Sequence, residues 1–213
     1  MIRFIGDIHG RVPEYLHLID DQMESVQIGD FGFGFGEQGK PEFLDSLIDT
    51  CAGNHRFIRG NHDSPVDASM STHYIQDGTI DDNIMFMGGA LSIDKQWRIP
   101  GIDWWPDEEL SEDRLVEMID IFAKNKPTIF ITHECPEFIA RDVMIPAVNG
   151  FSNFPSRTRR ALDVMYGLSP RPKLHIFGHW HKFVDVTING TRFVCLPELG
   201  YADIDVSHEF FKR

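Results

Sequence analysis

Short apolar runs recur along the chain, and each ends at glycine or another turn-forming residue. Runs of about four to eight apolar residues bounded by turn residues are typical of buried strands. They lie at residues 2–5, 25–28, 56–59, 84–87, 128–131 and 174–177. Residues 184–188 and 191–196 alternate across Asn189-Gly190, which predicts a β-hairpin.

Stretches with helical periodicity separate these strands. The apolar faces comprise Leu16, Ile19 and Met23 in a first helix, Phe43, Leu44, Leu47, Ile48 and Cys51 in a second, and Leu115, Met118, Ile119 and Phe122 in a third. Pro41 marks the start of the second helix, and Ser111 is the predicted N-cap of the third. A fourth helix is predicted over residues 156–166, closed by Gly167. Helices that alternate with strands, with some antiparallel pairing, indicate a mixed α/β fold.

Composition is that of a globular protein with a core of its own. The chain has 213 residues, of which 42% are hydrophobic and 25% charged, so disordered and fibrous classes are excluded. This length and the lack of a linker predict one domain over residues 1–213. A formal net charge of −13 disfavours electrostatic binding to nucleic acid or to anionic membranes.

Cysteine content and the apolar runs indicate the compartment. The three cysteines form no CxxC motif, and a chain of this length does not need disulfides for stability. The first apolar run is too short for a signal peptide, and no run approaches the length of a membrane span. We therefore expect a cytoplasmic protein without a membrane partner.

Polar side chains capable of metal binding or acid–base chemistry stand directly after several predicted strands. In an open α/β sheet, ligands bind beyond the carboxyl ends of the strands, so these side chains are expected to converge on one edge. The set comprises Asp7, His9, Asp30, Asn61, His62, His133, His179 and His181.

The donor types in this set predict a metal centre. Apart from His62, it offers two carboxylates, a carboxamide and four imidazoles, which suit Mn, Fe, Ni, Co or Zn. Seven ligands exceed the need of one ion. Two ions that share one carboxylate would each receive four protein contacts and leave room for a shared water or hydroxide. Such a pair suits in-line displacement at phosphorus, so the set predicts phosphoester hydrolysis.

Ordinary histidines are the alternative interpretation, because the chain contains ten. Those expected to be solvated or hydrogen-bonded outside any site are His17, His55, His73, His175 and His208. The other five fall at strand ends, in four separate segments rich in Asp, Gly and Asn. This clustering favours the metal interpretation.

Five ordered motifs resemble the signature of the calcineurin-like metallophosphoesterase superfamily. They are Gly6-Asp7-Ile8-His9-Gly10, Gly29-Asp30, Gly60-Asn61-His62-Asp63, Thr132-His133 and Gly178-His179-Trp180-His181, spread over residues 6–181. The resemblance implies an α/β fold built as a double β-sheet sandwich of mixed sheets flanked by helices. It also implies a binuclear phosphoesterase in which a metal-bridging hydroxide attacks phosphorus.

The resemblance further implies a role for each motif residue. One metal would be held by Asp7, His9, Asp30 and His181, and the other by Asp30, Asn61, His133 and His179, with Asp30 as the bridge. His62 would be the general acid that protonates the leaving alkoxide. Asp63 would orient His62 or, alternatively, accept hydrogen bonds from nearby backbone. Manganese is the favoured metal, with Fe, Ni, Co and Zn as alternatives.

Several residues bear on the substrate. Arg11 and Lys182 adjoin the motifs and are the candidate phosphate contacts. We expect a small phosphomonoester or phosphodiester, because the acidic surface disfavours extended nucleic acid. A nuclease is the alternative, and it predicts a basic groove from Arg157 to Arg160. A protein Ser/Thr phosphatase is disfavoured, since Phe33 and Gly34 stand where those members of the superfamily have Asp and Arg.

Other patterns favour other functions less well. Residues 34–39 match the G-x-G-x-x-G of dinucleotide-binding loops, but residues 51–54 end a predicted helix where that fold needs a strand ending in an acidic residue. A non-catalytic metal- or dinucleotide-binding module would need a damaged ligand set, whereas all seven ligands are present. His133-Glu134 begins like the H-E-x-x-H motif of zinc proteases, but Glu137 stands in place of the second histidine, so a zinc-protease helix is excluded. The loop that carries Trp97, Trp104 and Trp105 is expected to pack over the core rather than to stack on a substrate.

Overall fold

A computed structural model describes residues 1–148, 154–168 and 170–206 of the chain. The strands of this part are β1 Ile2–Ile5, β2 Glu24–Ile28, β3 Asn54–Ile58, β4 Ile80–Asp81, β5 Ile84–Met87, β6 Ile129–Thr132, β7 Leu174–Phe177, β8 Val184–Ile188, β9 Thr191–Cys195 and β10 Tyr201–Ile204. The α-helices are α1 Val12–Ile19, α2 Pro41–Ile48, α3 Pro65–Met70, α4 Glu112–Asn125, α5 Glu137–Ile139, α6 Ile145–Ala147 and α7 Arg157–Gly167. Short 3₁₀ helices occupy Gly36–Gly39 and Lys95–Trp97, and a π-helical segment covers Ala140–Met144.

The strands form two mixed sheets. The first has the order β10-β1-β2-β3, in which β1, β2 and β3 are parallel and β10 is antiparallel to β1. The second has the order β4-β5-β6-β7-β9-β8, with antiparallel strands only at its two edges. Parallel strands in both sheets bring several carboxyl ends to one edge of the molecule, which is where the polar residues of the motifs stand.

The two sheets pack face to face and carry helices on their outer faces. Alternation along each strand explains this layering, since successive side chains point to opposite faces. In β5, Ile84 and Phe86 join the core between the sheets, whereas Met85 and Met87 join the core under α4 and α7. A third core lies between the first sheet and the helices α1, α2 and α3. The predicted double β-sheet sandwich flanked by helices is confirmed.

Local signals account for several boundaries. The Ser111 side chain accepts a hydrogen bond from the backbone N–H of Arg114, which caps α4 as predicted. The β8–β9 hairpin turns at Asn189 and Gly190, whose φ angles are 51° and 84°, as a type I′ turn requires. Pro41 begins α2, where its missing N–H is not needed.

Two helices are shorter than predicted, and some elements lay outside the prediction. Helix α1 ends at Ile19, so Met23 is 78% exposed and contributes nothing to its face. Helix α2 ends at Ile48, before Cys51. Strand β10 was not predicted, because its pairing partner β1 lies about 200 residues away in the sequence. Helix α3, capped by Ser64, was also not predicted. Among the described residues, no helix is long and apolar enough to cross a bilayer.

Candidate metal centre

The motif residues of both sheets meet at one edge of the sandwich. Asp7, Asp30 and Asn61 follow parallel strands of the first sheet, and His133 and His179 follow parallel strands of the second. A cavity of about 560 Å³ opens there. Its lining comprises His9, Asp30, Asn61, His62, Ser92, Ile93, Asp94, Arg98, Val148, Arg159, His179, Trp180, His181 and Glu198.

One group of potential ligands combines Asp7, His9, Asp30 and His181. Each offers a nitrogen or oxygen atom, and these atoms all lie within 4.8 Å of one another. The Nε2 atom of His181 is 3.0 Å from Asp7 Oδ2 and 3.0 Å from Nε2 of His9. Asp7 is fully buried, whereas the His181 side chain is 44% exposed. This group therefore lies at the solvent-facing side of the centre.

A second group combines Asp30, His133 and His179, again with potential ligand atoms within 4.8 Å of one another. Asn61 adjoins it, because its Oδ1 lies 3.1 Å from His133 Nε2. The Asn61 Nδ2 group donates to the Ser92 hydroxyl at 2.8 Å, which turns the carboxamide oxygen towards His133. His133 Nδ1 bonds to the carbonyl oxygen of Ile28 at 2.9 Å, so its Nε2 is the nitrogen that faces the centre.

Asp30 belongs to both groups and is 99% buried. Its Oδ1 accepts a hydrogen bond from the backbone N–H of His62, but its Oδ2 has no hydrogen-bond partner among the residues that the structure describes. That oxygen lies 3.9 Å from His9 Nε2 in one group and 3.4 Å from His133 Nε2 in the other. A buried carboxylate oxygen without a partner is costly, so this position suits a cation.

The pKa values of the buried side chains also indicate that the centre needs a positive charge. Burial favours the neutral form of Asp30, yet His133, His62 and His9 lower the pKa of its carboxyl well below the usual range. Burial likewise opposes protonation of His133, but Asp30 raises the pKa of that imidazole to about 10. The buried carboxylate therefore needs a positive charge beside it, which a proton or a metal cation can supply. Burial lowers the pKa of His179 to about 4, which leaves a neutral ring able to bind a cation.

Backbone strain concentrates at the same residues. His9, Asp30, His179 and His181 all have positive φ angles, between 46° and 67°, a region that non-glycine residues seldom occupy. Strain of this kind persists where the surrounding structure enforces it, and it clusters at functional sites. The turns after β1, β2 and β7 therefore hold these side chains in place at an energetic cost.

Two motif glycines have a packing role. A Cβ atom on Gly60 would collide with the Asp30 carboxylate, and one on Gly178 would collide with the Asp7 carboxylate. Only glycine lets the backbone approach these buried side chains so closely. The glycines of the third and fifth motifs thus allow the carboxylates to reach the centre.

His62, the predicted general acid, lines the cavity beside the first group. Its ring centroid lies 5.5 Å from that of His9. Its Nδ1 is buried and has no hydrogen-bond partner in residues 1–148, 154–168 and 170–206, so no side chain of these ranges orients the ring through that atom.

The contacts of Asp63 favour the backbone alternative over a role as the partner that orients His62. Its carboxylate accepts hydrogen bonds from the backbone N–H groups of Phe31, Gly32, Phe33 and Gly60, at 2.7–3.1 Å. Burial and the nearby Asp30 raise the pKa of the Asp63 carboxyl. The residue therefore anchors the loop after β2 to the turn after β3, which is the backbone alternative considered above.

The arginines that line the cavity are not the predicted phosphate contacts. Arg11 pairs with Glu198 at 2.8 Å, and Lys182 is exposed beside His181; neither is among the described residues that line the cavity. Arg98 and Arg159 line it instead. Direct substrate contact by Arg11 and Lys182 therefore stays a prediction, with Arg11 one ion pair away from the cavity lining.

The predicted basic groove of a nuclease is also not supported. Arg159 is 2% exposed and donates to the Glu134 carboxylate at 2.8 Å, and Arg157 donates to the backbone carbonyl of Glu109. The carboxylates of Glu134 and Glu109 lie beside these guanidinium groups, so two of the three arginines of the segment are already paired, and Arg160 is the exposed third.

Other residues outside the motifs take different places from those predicted. Trp105 is buried against Gly34, but Trp97 is 76% exposed on its 3₁₀ turn, so only part of this loop packs over the core. His55 and His175 are buried and hydrogen-bonded, as expected of histidines outside the site. His208 lies outside the described residues.

Sequence reasoning missed three side chains at the centre: Glu134, Ser92 and Glu198. Glu198 could have been predicted from its place at a strand end, because it stands just after β9, which is parallel to its neighbour β7 in the second sheet. Glu134 follows His133 directly, but the pair was interpreted only as the start of an H-E-x-x-H zinc-protease motif, which Glu137 interrupts. Nothing local to Ser92 indicates that it bonds to Asn61, 31 residues away in the sequence.

Comparison with known proteins gives a family and a fold. A family model described as calcineurin-like phosphoesterase matches residues 1–183. No curated protein shows a significant match. Among the 26 matching chains of solved structures is a candidate 5′-nucleotidase from Staphylococcus aureus, solved in complex with alpha-ketoglutarate. It is 11% identical, with a TM-score of 0.53 over 93% of this chain. The present chain spans about half of that structure, 49% of its length.

Proposed function

Because the chain belongs to the calcineurin-like phosphoesterase family, we propose that it is a binuclear metal-dependent hydrolase of phosphoesters. The observation that carries this proposal is the Oδ2 atom of Asp30, which is buried, lacks a hydrogen-bond partner within the described part of the chain and lies between two groups of ligand atoms. One oxygen shared by two groups is what a bridging carboxylate requires.

Each group would hold one divalent cation. Asp7, His9, Asp30 and His181 form the first set, and Asp30, Asn61, His133 and His179 form the second. When bound, two such cations lower the pKa of a shared water and neutralise charge on the phosphoryl oxygens. The mixed oxygen and nitrogen donors suit manganese, with Fe, Ni, Co and Zn as alternatives.

Asp7 and Asp30 contribute two negative charges to the centre, and Asn61 adds an oxygen ligand without a third. Two divalent cations would therefore leave a net positive charge at the cavity floor, which attracts a phosphate dianion despite the acidic surface of the whole chain.

His62 would donate the proton to the leaving alkoxide. It lines the cavity beside the first group, and its backbone N–H donates to Asp30 Oδ1 at 2.8 Å. This bond fixes the position of the general acid relative to the proposed bridging residue. Both would therefore be correctly placed about the phosphorus atom of a bound substrate. A histidine N–H within hydrogen-bond reach of the leaving oxygen can donate its proton there, which suits this role.

The substrate proposed is a small phosphomonoester or phosphodiester. The cavity of about 560 Å³ falls in the range of small-molecule sites. Trp180, Ile93 and Val148 add apolar walls for a leaving group, and Arg98 adds a cation held by Asp94. The paired arginines of α7 give no support to the nuclease alternative.

A hydrolysis assay tests the proposal. Metal-free protein is reconstituted with Mn²⁺, Ni²⁺ or Zn²⁺ and supplied with p-nitrophenyl phosphate or its bis-ester. We expect turnover of one of them to depend on added metal and to be lost in Asp30→Asn. An exposed variant of the same kind, Asp142→Asn, is the matched control and should behave as wild type. Metal-independent turnover, or full activity in Asp30→Asn, would contradict the proposal.

A further inference from the structure

Two glutamates outside the predicted ligand set lie close to the two histidines of the fifth motif, on the side of each ring away from the ligand groups. Glu134 Oε2 lies 3.7 Å from Nε2 of His179, and Glu198 Oε1 lies 3.6 Å from Nδ1 of His181. Each glutamate is in turn paired with an arginine at 2.8 Å, Arg159 in the first case and Arg11 in the second. The two histidines thus share one arrangement, in which an arginine holds a carboxylate against one ring nitrogen.

For His181, the direction of the ring is fixed by its contacts. Nε2 is 3.0 Å from Asp7 Oδ2 and so faces the first ligand group, which leaves Nδ1 towards Glu198. For His179, Nε2 faces Glu134, which leaves Nδ1 as the nitrogen available to the second group. In both rings the nitrogen that does not face the centre has a carboxylate within 4 Å.

Glu134 is held rigidly. It is fully buried, and its Oε1 accepts hydrogen bonds from the Trp180 indole and from the backbone N–H of Cys135, both at 2.8 Å. Its Oε2 accepts from Arg159 Nε. A buried ion pair gives little net stability, because desolvation offsets the attraction, so stability alone does not account for this one. The hydrogen bond from Trp180, the residue after His179, connects the Glu134–Arg159 pair to the fifth motif.

Glu198 is fixed by the backbone. The next residue, Leu199, has a φ of 52°, and its N–H donates to the carbonyl oxygen of Asp7 at 2.9 Å. A leucine in this conformation is strained, and the strain places Glu198 beside His9 and His181 at the mouth of the cavity.

We propose that Glu134 and Glu198 are positioning residues, each holding a carboxylate within 4 Å of one ring nitrogen of a metal-binding histidine and so fixing which nitrogen faces its cation. Glu134 serves the Asp30–His133–His179 group, and Glu198 serves the Asp7–His9–Asp30–His181 group. The inference rests on the proposed two-metal function. A neutral imidazole that gives one nitrogen to a cation carries its proton on the other, and a carboxylate acceptor strengthens the ligand.

Metal affinity measured without any substrate tests this inference. Metal-free wild type, Glu134→Gln and Glu198→Gln are titrated with Mn²⁺, and free Mn²⁺ is followed by its electron paramagnetic resonance signal. Glu117→Gln is the matched control, because Glu117 also pairs with an arginine but lies on α4, away from the histidines. The thermal midpoint of each metal-free protein reports whether the fold is intact.

We expect wild type and Glu117→Gln to bind two Mn²⁺, and each of the other variants to lose about 10- to 100-fold in affinity for one of them. Glu198 is 39% exposed, so Glu198→Gln should keep the wild-type midpoint and decide the question even if Glu134→Gln, which weakens the pairing of the buried Arg159, does not fold. Wild-type titration of Glu198→Gln would overturn the inference while leaving the proposed function standing. Wild type that binds fewer than two ions in the titration with Mn²⁺ and also in one with Zn²⁺ would instead overturn the proposed function, and the inference with it.

Discussion

Replacing Asp63 tests whether its carboxylate serves the fold or the chemistry. The side chain is fully buried and accepts four backbone hydrogen bonds, two at each oxygen. Oδ1 serves Gly32 and Phe33, and Oδ2 serves Phe31 and Gly60. Asp63→Ala removes all four acceptors at once, whereas Asp63→Asn replaces one oxygen by an amide group that cannot accept, and so loses two.

The magnitude follows from these four donors. A buried donor left without a partner costs about 1–3 kcal/mol, although water entering the vacated space can serve some of them. The alanine variant also relieves the burial of a charge close to Asp30, which offsets part of the loss. We expect a loss of about 3–5 kcal/mol, similar to removing one partner from a buried charged pair. For a chain of this length, that lowers Tm by about 10 °C. Asp63→Asn should show about half of this effect.

Urea unfolding and differential scanning calorimetry of metal-free protein provide the assay. Asp142→Asn, at an exposed pair with Arg141, is the control and should leave Tm unchanged. The reasoning is refuted if Asp63→Ala unfolds at the wild-type midpoint while its turnover falls. That result would return Asp63 to the catalytic role that the structure does not support.

Three further outcomes are expected. His62→Ala should bind both metals and slow alkyl phosphates more than nitrophenyl phosphates, because poor leaving groups need the proton most; equal slowing would count against the proton-donor role. Asn61→Ala should weaken one of the two Mn²⁺ sites at least about 10-fold in the same titration, and two unchanged sites would exclude Asn61 as a ligand. Burial lowers the pKa of His175 to about 3 from 6.5. The folded state therefore binds fewer protons than the unfolded chain between these values, and the stability from the neutral ring is lost as pH falls below about 6.5. Urea unfolding between pH 7 and pH 4 should show this decline, and His175→Gln should make it shallower.

The part of the site that sequence predicts is the part set by strand ends. Asp7, Asp30, Asn61, His133 and His179 follow their strands directly, and parallel strands bring such positions to one edge whatever the details of packing. His9 and His181 stand two residues after Asp7 and His179, and the sequence predicts them because they belong to the same motifs. The sandwich itself came from the resemblance and not from periodicity, since apolar runs do not reveal which strands share a sheet.

The remaining features depend on contacts distant in sequence or on competing local effects. Strand β10 pairs with β1 across most of the chain, and its four residues carry no distinctive pattern. The role of Asp63 follows from loops that only tertiary packing brings within hydrogen-bond distance. Met23 has the spacing of the α1 face, but the turn after Ile19 leaves it in solvent. Periodicity gives the existence of that helix and not its end.

Anomalous diffraction at the manganese edge, from crystals grown with Mn²⁺, tests the central claim most directly. Two peaks are expected, one beside Asp7, His9 and His181 and the other beside Asn61, His133 and His179, with the Asp30 carboxylate between them. A single peak, or peaks that do not share Asp30, would contradict the account.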